Sequence, residues 1–550
     1  MRPLARCALL ASLALGGCSD LLPDAERVPT RVVLSSRVVT VVEGSPVPLG
    51  VTVLDQNGKP FERLPAWAPP LWSFDAADRV EDRGGVLMAL QPGRAVGTVT
   101  VAGLSADAAI RVNPRVLGLA VDGVYLTQSV QTYDRSVPLV AGRDALLRVF
   151  LRGDQPSFFA PGVRVGLYHD GVLQETLTLS PGADSIPTAV REASLDGSWN
   201  GMVPARLVRP GLSLVVEADP ERSVPTRPGS QLRYPASGVL ALNVTTVPKL
   251  WLRLVPIHQP DGTTGRVSVL TRDEWIRELV GMFPIAEYEV DIRTPYVTST
   301  SASPADGSGW IRILNEIAAL RLADGSRRYY YGILTHPGGN NIAGIGYIGG
   351  LPGAPPAAVG YDRLPRSAGT LAHELGHNFG RRHAPCGGPA GVDVLFPYED
   401  GRTGAHGVDV AAGESKDGSR FRDLMTYCGP EWISDYTYRG VLQFRRSGDG
   451  GTSGEQAVPV AADEPSLLVW GRIAGAESVL EPAFEITTRP VLPAGPGPYR
   501  VEGLDAAGAT LFSYSFQGDV IADVETAERH FAFAIPARLA RTERLDRLRV

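Results

Sequence analysis

The sequence predicts a multidomain protein in which one α/β (α+β) domain is flanked by β-sandwich domains. Three observations predict this. The chain has 550 residues, more than a single hydrophobic core holds. It carries 62 glycines and 45 prolines, which favour turn-rich β domains over helix bundles. Helical and strand patterns alternate only within residues 247–447, whereas both flanks read as strands and turns. A hydrophobic content of 44% with 20% charged residues excludes a disordered or fibrous chain. The net charge of −6 provides no basic footprint for nucleic acid.

Residues 1–17 read as an export signal. Arg2 and Arg6 precede an apolar run from Cys7 to Leu15, too short to span a bilayer. The end of this segment, Leu15-Gly16-Gly17-Cys18, resembles a bacterial lipobox. That resemblance implies lipidation at Cys18, a membrane anchor there, and residence at the outer membrane or cell surface rather than in the periplasm, since Ser19 and not aspartate follows. A plain signal peptide with a chance cysteine is the alternative.

Residues 28–114 contain the β-branched run Val38 to Val42, an Asn57-Gly58 turn, Trp72, a long hairpin over 86–103 and a last strand Ala109 to Val112. This stretch resembles a bacterial Ig-like domain, which implies a spacer or an adhesive unit. Residues 115–246 predict a second β-sandwich, with His169-Asp170-Gly171 as a hairpin tip. It could serve as a positioning module or as a pro-segment. In 247–447, KLWLRLVPI and RYYYGILT predict strands. Thr271 to Glu274 predicts a capping box opening a helix toward Phe283-Pro284, and a second helix spans about Trp310 to Leu322. Residues 448–462 form a linker, and 463–550 return to β patterning as a C-terminal β-sandwich.

The candidate site lies in HELGHNFGRRH, residues 373–383, which holds three of the eight histidines in the chain. His373 and His377 are four apart, roughly 400° on a helix, so they share one face and can share one Zn²⁺. Glu374 sits one step round, able to flank the ion without ligating it. Gly380 suits the left-handed turn that ends a helix, after which the chain folds back to deliver His383. Three ligands leave a fourth position for water, the pattern of catalytic zinc.

H-E-x-x-H-x-x-G-x-x-H, together with Met425 in RDLMTYCGPEWISDYTY, resembles the metzincin zinc metalloproteases. The histidine motif is similar to the reprolysin/ADAM branch, and the methionine segment is similar to bacterial secreted relatives. The resemblance implies one catalytic zinc ion, a methionine floor at Met425, and endopeptidase action on protein or glycoprotein substrates with Glu374 as general base. It implies that Cys386 and Cys428, which flank the motifs, meet in a disulfide; two free thiols are the alternative. It also implies a substrate-binding edge strand within 336–350, at Gly344, Ile345, Gly346 and Tyr347, where the glycines would admit a substrate backbone; a glycine-rich loop is the alternative. Tyr427 stands where astacins and serralysins carry a tyrosine that reaches the zinc or the transition state, and a core tyrosine is the other reading.

There are departures. Ala384-Pro385 replaces the aspartate usual in reprolysins, and a long insert separates His383 from Met425. His406 in that insert reads as a surface residue. Asp393, Glu399, Asp400 and Asp409 could hold Ca²⁺, but their spacing matches no EF-hand-like loop. With no cysteine between residues 19 and 385, a cysteine switch from upstream is excluded. The rival function is a surface adhesin or binding protein with a non-catalytic metzincin-like domain.

Overall fold

The computed structural model describes residues 27–63, 68–335, 341–350, 355–447, 462–493, 495–524 and 526–550. The signal segment with Cys18, residues 336–340 of the glycine-rich stretch and nearly all of the linker therefore lie outside the described residues. The chain divides into two compact units, one comprising residues up to 118 with 153–159 and 225–227, the other comprising the remainder.

In the first unit, strands Val38–Val42, Leu104–Asn113, Gly93–Val101 and Leu71–Phe74 form one sheet, and Pro29–Leu34 pairs with Val51–Asp55. Alternate residues such as Ala95, Val99, Val101, Ile110 and Val112 are buried, as period two requires. The Asn57-Gly58 turn is set by Asp55, whose Oδ1 accepts the Asn57 and Lys59 amides at 2.9 Å each, and Gly58 takes φ +74°.

The second unit begins with two sheets. Leu119–Thr127, Ala145–Gly153 and Trp199–Val203 make one; Val163–His169, Val172–Leu179 and Leu212–Ala218 are the main strands of the other. Asp170 and Gly171, both at positive φ, form the hairpin tip.

A six-stranded sheet follows. It contains β1 (Leu250–His258), β2 (Tyr288–Ile292), β3 (Tyr329–Leu334), β4 (Gly344–Gly346) and β5 (Ala357–Tyr361), in the order β2-β1-β3-β5-β4, with a short strand Tyr296–Val297 also on β1. The β2–β1, β1–β3 and β3–β5 pairs are parallel, and β4 is the antiparallel edge. Helices α1 (Arg272–Met282) and α3 (Arg366–Asn378) pack on one face against Leu250, Leu252, Leu254 and Tyr331. Helix α2 (Ser308–Ala323) packs on the other against Val255, Ile257, Tyr330 and Val359. Strands buried on both faces read as continuous apolar runs, which is why KLWLRLVPI and RYYYGILT stand out. Helix α4 (Asp435–Arg446) adds Tyr438, Val441 and Leu442 to the core beneath α1 and α3.

Helix α1 starts without the expected capping box. Thr271 is already in the helical region and makes no side-chain cap bond. Its hydroxyl instead accepts the Ser268 amide at 3.0 Å, because the turn begins at Ser268. The other end of α1 is held from the preceding β module. Arg143 donates to the carbonyls of Gly281 and Phe283, and Ser129 Oγ donates to Gly281 O, so a half-buried cation sits at the negative end of the helix.

The C-terminal region has a sheet of Glu464–Ala474 with Glu477–Leu480, Phe484–Thr488 and Arg529–Pro536, and a second of Tyr499–Leu504, Thr510–Phe516 and Arg547–Arg549. Ala319 and Leu322 of α2 pack against Leu468 and Ala532 there.

The expected fold class is corrected. The described residues are 40% strand and 13% helix, a multidomain β-rich protein rather than an α/β metalloprotease catalytic fold between β-sandwiches. The physical reason is compositional. Turn-forming and β-branched stretches dominate on both sides of residues 247–447, and α1 to α4 are short helices of 11 to 16 residues.

Candidate metal centre

The centre is built on the end of α3. The helix closes with Gly380 at φ +80°. The Arg381 amide donates to Gly376 O at 3.0 Å and the Gly380 amide to His377 O at 2.8 Å, the pair of bonds of a Schellman ending. This reversal carries the chain back past the helix and places His383 opposite His373 and His377.

All three imidazoles are buried, and all three are fixed the same way. Nδ1 of His373 donates to Leu424 O at 2.7 Å, Nδ1 of His377 to Arg381 O at 2.7 Å, and Nδ1 of His383 to Ala390 O at 2.5 Å. A carbonyl only accepts, so each Nδ1 carries the proton and each Nε2 keeps its lone pair, the tautomer of a metal-ligating histidine. Nε2 of His373 and His377 are 3.2 Å apart, close to the ~3.3 Å edge of a tetrahedron with ~2.05 Å Zn–N bonds. The residues therefore fit a zinc ion.

A fourth ligand atom converges on the same point. Asp523, from the C-terminal region, lies with Oδ1 2.9 Å from His383 Nε2 and 3.5 Å from His373 Nε2, and Oδ2 3.1 Å from His377 Nε2. The four ligand atoms lie within 4.8 Å of one another, and among the described residues this is the group of His, Cys, Asp and Glu side chains able to share a metal ion. Burial opposes ionisation of Asp523, but the three histidines outweigh it and hold its carboxyl well below the usual range. Glu374 is pushed well above the usual range, first by burial and then by the nearby Asp523 charge. Its Oε2 is buried with no hydrogen-bond partner.

Met425 lies fully buried beneath the histidines, in the turn whose Leu424 carbonyl orients His373. A Cβ on Gly376 would come within 2.5 Å of Met425 Sδ, so the glycine is what lets helix and turn approach. Asp423 anchors the turn by accepting the amides of Met425 and Ser434 at 2.9 Å each. Cys386 and Cys428 are joined in a disulfide with Cα atoms 5.8 Å apart. Tyr427 is half exposed and donates from its hydroxyl to Asp523 Oδ1 at 2.7 Å.

The edge stretch differs in its use of glycine. Gly344, Ile345 and Gly346 form β4, and Tyr347 is buried behind it. The space left by the missing side chains is taken by α3. A Cβ on Gly344 would meet Glu374 Oε1 at 2.7 Å, and one on Gly349 would meet Asn378 O at 1.9 Å. These glycines admit the close approach of α3 to the strand.

His406 lies apart from the centre, on a strand His406–Asp409 paired with Val130–Gln131. Asp393 accepts from the Tyr436 hydroxyl at 2.8 Å, and Asp409 caps the Ala412 amide at 3.0 Å. Neither joins a metal-binding group among the described residues. Sequence reasoning missed Asp523, Asp423 and Asn378. The last donates to Tyr347 O and Ala357 O and lies inside the motif itself, one residue past His377. Asp523 belongs to no motif and lies 140 residues from His383.

No protein-family model matches the chain, and no curated protein matches it. Solved structures with some likeness are domains 5–6 of the S-layer protein SbsC (11% identity, TM-score 0.14, covering 40% of this chain and 99% of that one), the titin Ig tandem A164–A165 (8%, 0.20, 39% and 97%) and the titin I9–I11 tandem (11%, 0.15, 41% and 72%). The expected membership in the metzincin family is corrected: no family model and no curated protein matches the chain, and its described residues are mostly strands with few helices, so the protease and metalloprotease descriptions taken from that resemblance find no support.

Proposed function

We propose that the chain is an exported, surface-anchored protein whose histidine centre binds one zinc ion and hydrolyses peptide bonds. The single observation that supports the reading is the common tautomer of His373, His377 and His383, each tied through Nδ1 to a backbone carbonyl with Nε2 aimed at one point. When bound, zinc supplies Lewis acidity toward a carbonyl oxygen and toward water. Glu374, beside the ligands with a bare buried oxygen, takes a proton from the attacking water and passes it to the leaving amine. Tyr427, once free of Asp523, offers its hydroxyl to the developing oxyanion. The substrates in this reading are extended proteins or glycoproteins, and the lipobox-like segment at Cys18 supports placement at the bacterial surface. No described helix is long and apolar enough to cross a membrane.

A second reading is a surface binding protein in which the metal is structural. The observation in its favour is Asp523, which closes the fourth position, as in structural zinc sites. The discriminating experiment is Glu374→Gln in the chain from Ser19 onward, assayed on casein and a mucin-type glycoprotein with and without a chelator. In the hydrolase reading, one zinc per chain is retained and cleavage falls at least a hundredfold. Equal, chelator-sensitive cleavage by Asp523→Ala with and without Glu374→Gln would defeat the hydrolase reading.

A further inference from the structure

We infer that residues 520–523 act as a built-in peptide that occupies the zinc centre and the sheet edge beside it, with Asp523 as the fourth metal ligand, so that the chain as folded is latent. The inference rests on the zinc reading above.

Two independent sets of contacts carry it. The first is the ligand geometry, with the Asp523 carboxylate against all three Nε2 atoms and held from behind by the Tyr427 hydroxyl. The second is main-chain pairing on the free edge of β4. The Ala522 amide donates to Gly346 O at 2.9 Å, the Ile348 amide donates to Val520 O at 3.1 Å, and Tyr347 and Ile521 form an antiparallel bridge. An exposed strand edge is where an extended peptide adds to a sheet. Here a segment of the same chain has done so, antiparallel, and its next residue delivers the carboxylate. Ile521 is buried against Tyr347 and Ile345 in the α2-side core, which fixes the register. Asp523 sits at φ +66°, a left-handed conformation that turns its side chain out of the strand direction and into the centre.

The arrangement identifies what must leave before a substrate enters. Asp523 holds the ligand position that water needs, and 520–522 hold the amide and carbonyl groups that a substrate backbone would use. Removing the contact opens both at once. A substrate bound in the same way would be an extended, antiparallel peptide with its scissile bond near the position of Asp523.

The test uses the full mature chain carrying Asp523→Ala, Asp523→Asn or Ala522→Pro. The Pro variant removes the amide donated to Gly346 while keeping the carboxylate. Zinc affinity is measured by competition with a chromophoric chelator, and the visible spectrum of the Co²⁺-substituted protein is recorded. The expected results are at least tenfold weaker zinc binding and a changed Co²⁺ spectrum for both Asp523 variants. Chelator-sensitive casein cleavage is expected to rise at least tenfold in all three variants. Unchanged affinity and spectrum would overturn the ligand assignment whatever the activity. Altered affinity and spectrum with no cleavage by any variant would uphold Asp523 as a ligand while the hydrolase reading fails. Rapid hydrogen exchange of the Ile348 amide in the wild-type chain would overturn the strand pairing.

Discussion

At the residue scale, the centre depends on small groups that let larger ones approach. Gly376 is the clearest case, since any side chain there meets Met425. Gly376→Ala is expected to lower stability by about 1–3 kcal/mol through overpacking and to weaken zinc binding, because the turn carrying the Leu424 carbonyl must shift. Thermal unfolding with and without zinc checks both effects. Asp423 has the complementary role of holding that turn with two accepted amides, so Asp423→Ala is expected to cost about 2–4 kcal/mol, measured by denaturant unfolding. The C-terminal region contains a pH-sensitive pair. Burial raises Asp519 to about 8, so its contribution to stability is full below the ordinary aspartate range and is lost as pH rises toward 8. Burial lowers His530 to about 4, so its contribution is full above 6.5 and is lost as pH falls toward 4. Above pH 6.5 only Asp519 acts. Asp519 should therefore contribute a decline of roughly 2 kcal/mol between pH 6.5 and 8, and Asp519→Asn should lessen the wild-type decline by about that amount. Melting temperatures across this range are the measurement, and a parallel decline in the variant would refute the assignment.

At the element scale, α3 is tied to the sheet edge and to the turn beneath it by separate devices. Asn378 links its C-terminal end to Tyr347 and Ala357. The disulfide closes a segment with a sequence separation of 42, worth about 4 kcal/mol by chain entropy. Replacing both cysteines by serine should lower unfolding stability by an amount of that order. It should also broaden the segment that supplies Ala390 O to His383, read as faster exchange across 384–428. The helical pattern of α2 and the apolar strands β1 and β3 were legible because burial on both faces leaves continuous hydrophobic runs. The capping box at Thr271 was misread because sequence spacing does not reveal that the turn begins three residues earlier.

At the scale of the whole molecule, the proposed zinc ion would link regions that are distant in sequence. Three of the candidate ligands come from α3 and its return, and the fourth comes from the C-terminal region. Zinc present at a thousandfold its Kd should stabilise the second unit by about 4 kcal/mol. Chelation should lower the melting transition of that unit and leave that of residues 28–114 in place, as calorimetry of the full chain would show. Coincident loss of both transitions on chelation would contradict this division.

What the sequence by itself determined was local. The histidine spacing, the glycine stop, the apolar strands and the turn signals act over a few residues, where helix and strand geometry dictate which side chains share a face. The resemblance built on those motifs extended to a family and a fold class that the β-rich chain and the comparisons did not support. Only the tertiary structure decided what closes the centre. A carboxylate 140 residues from its nearest histidine contact obeys no periodicity, and its place depends on how the C-terminal strands pack against α2 and add to the edge of β4.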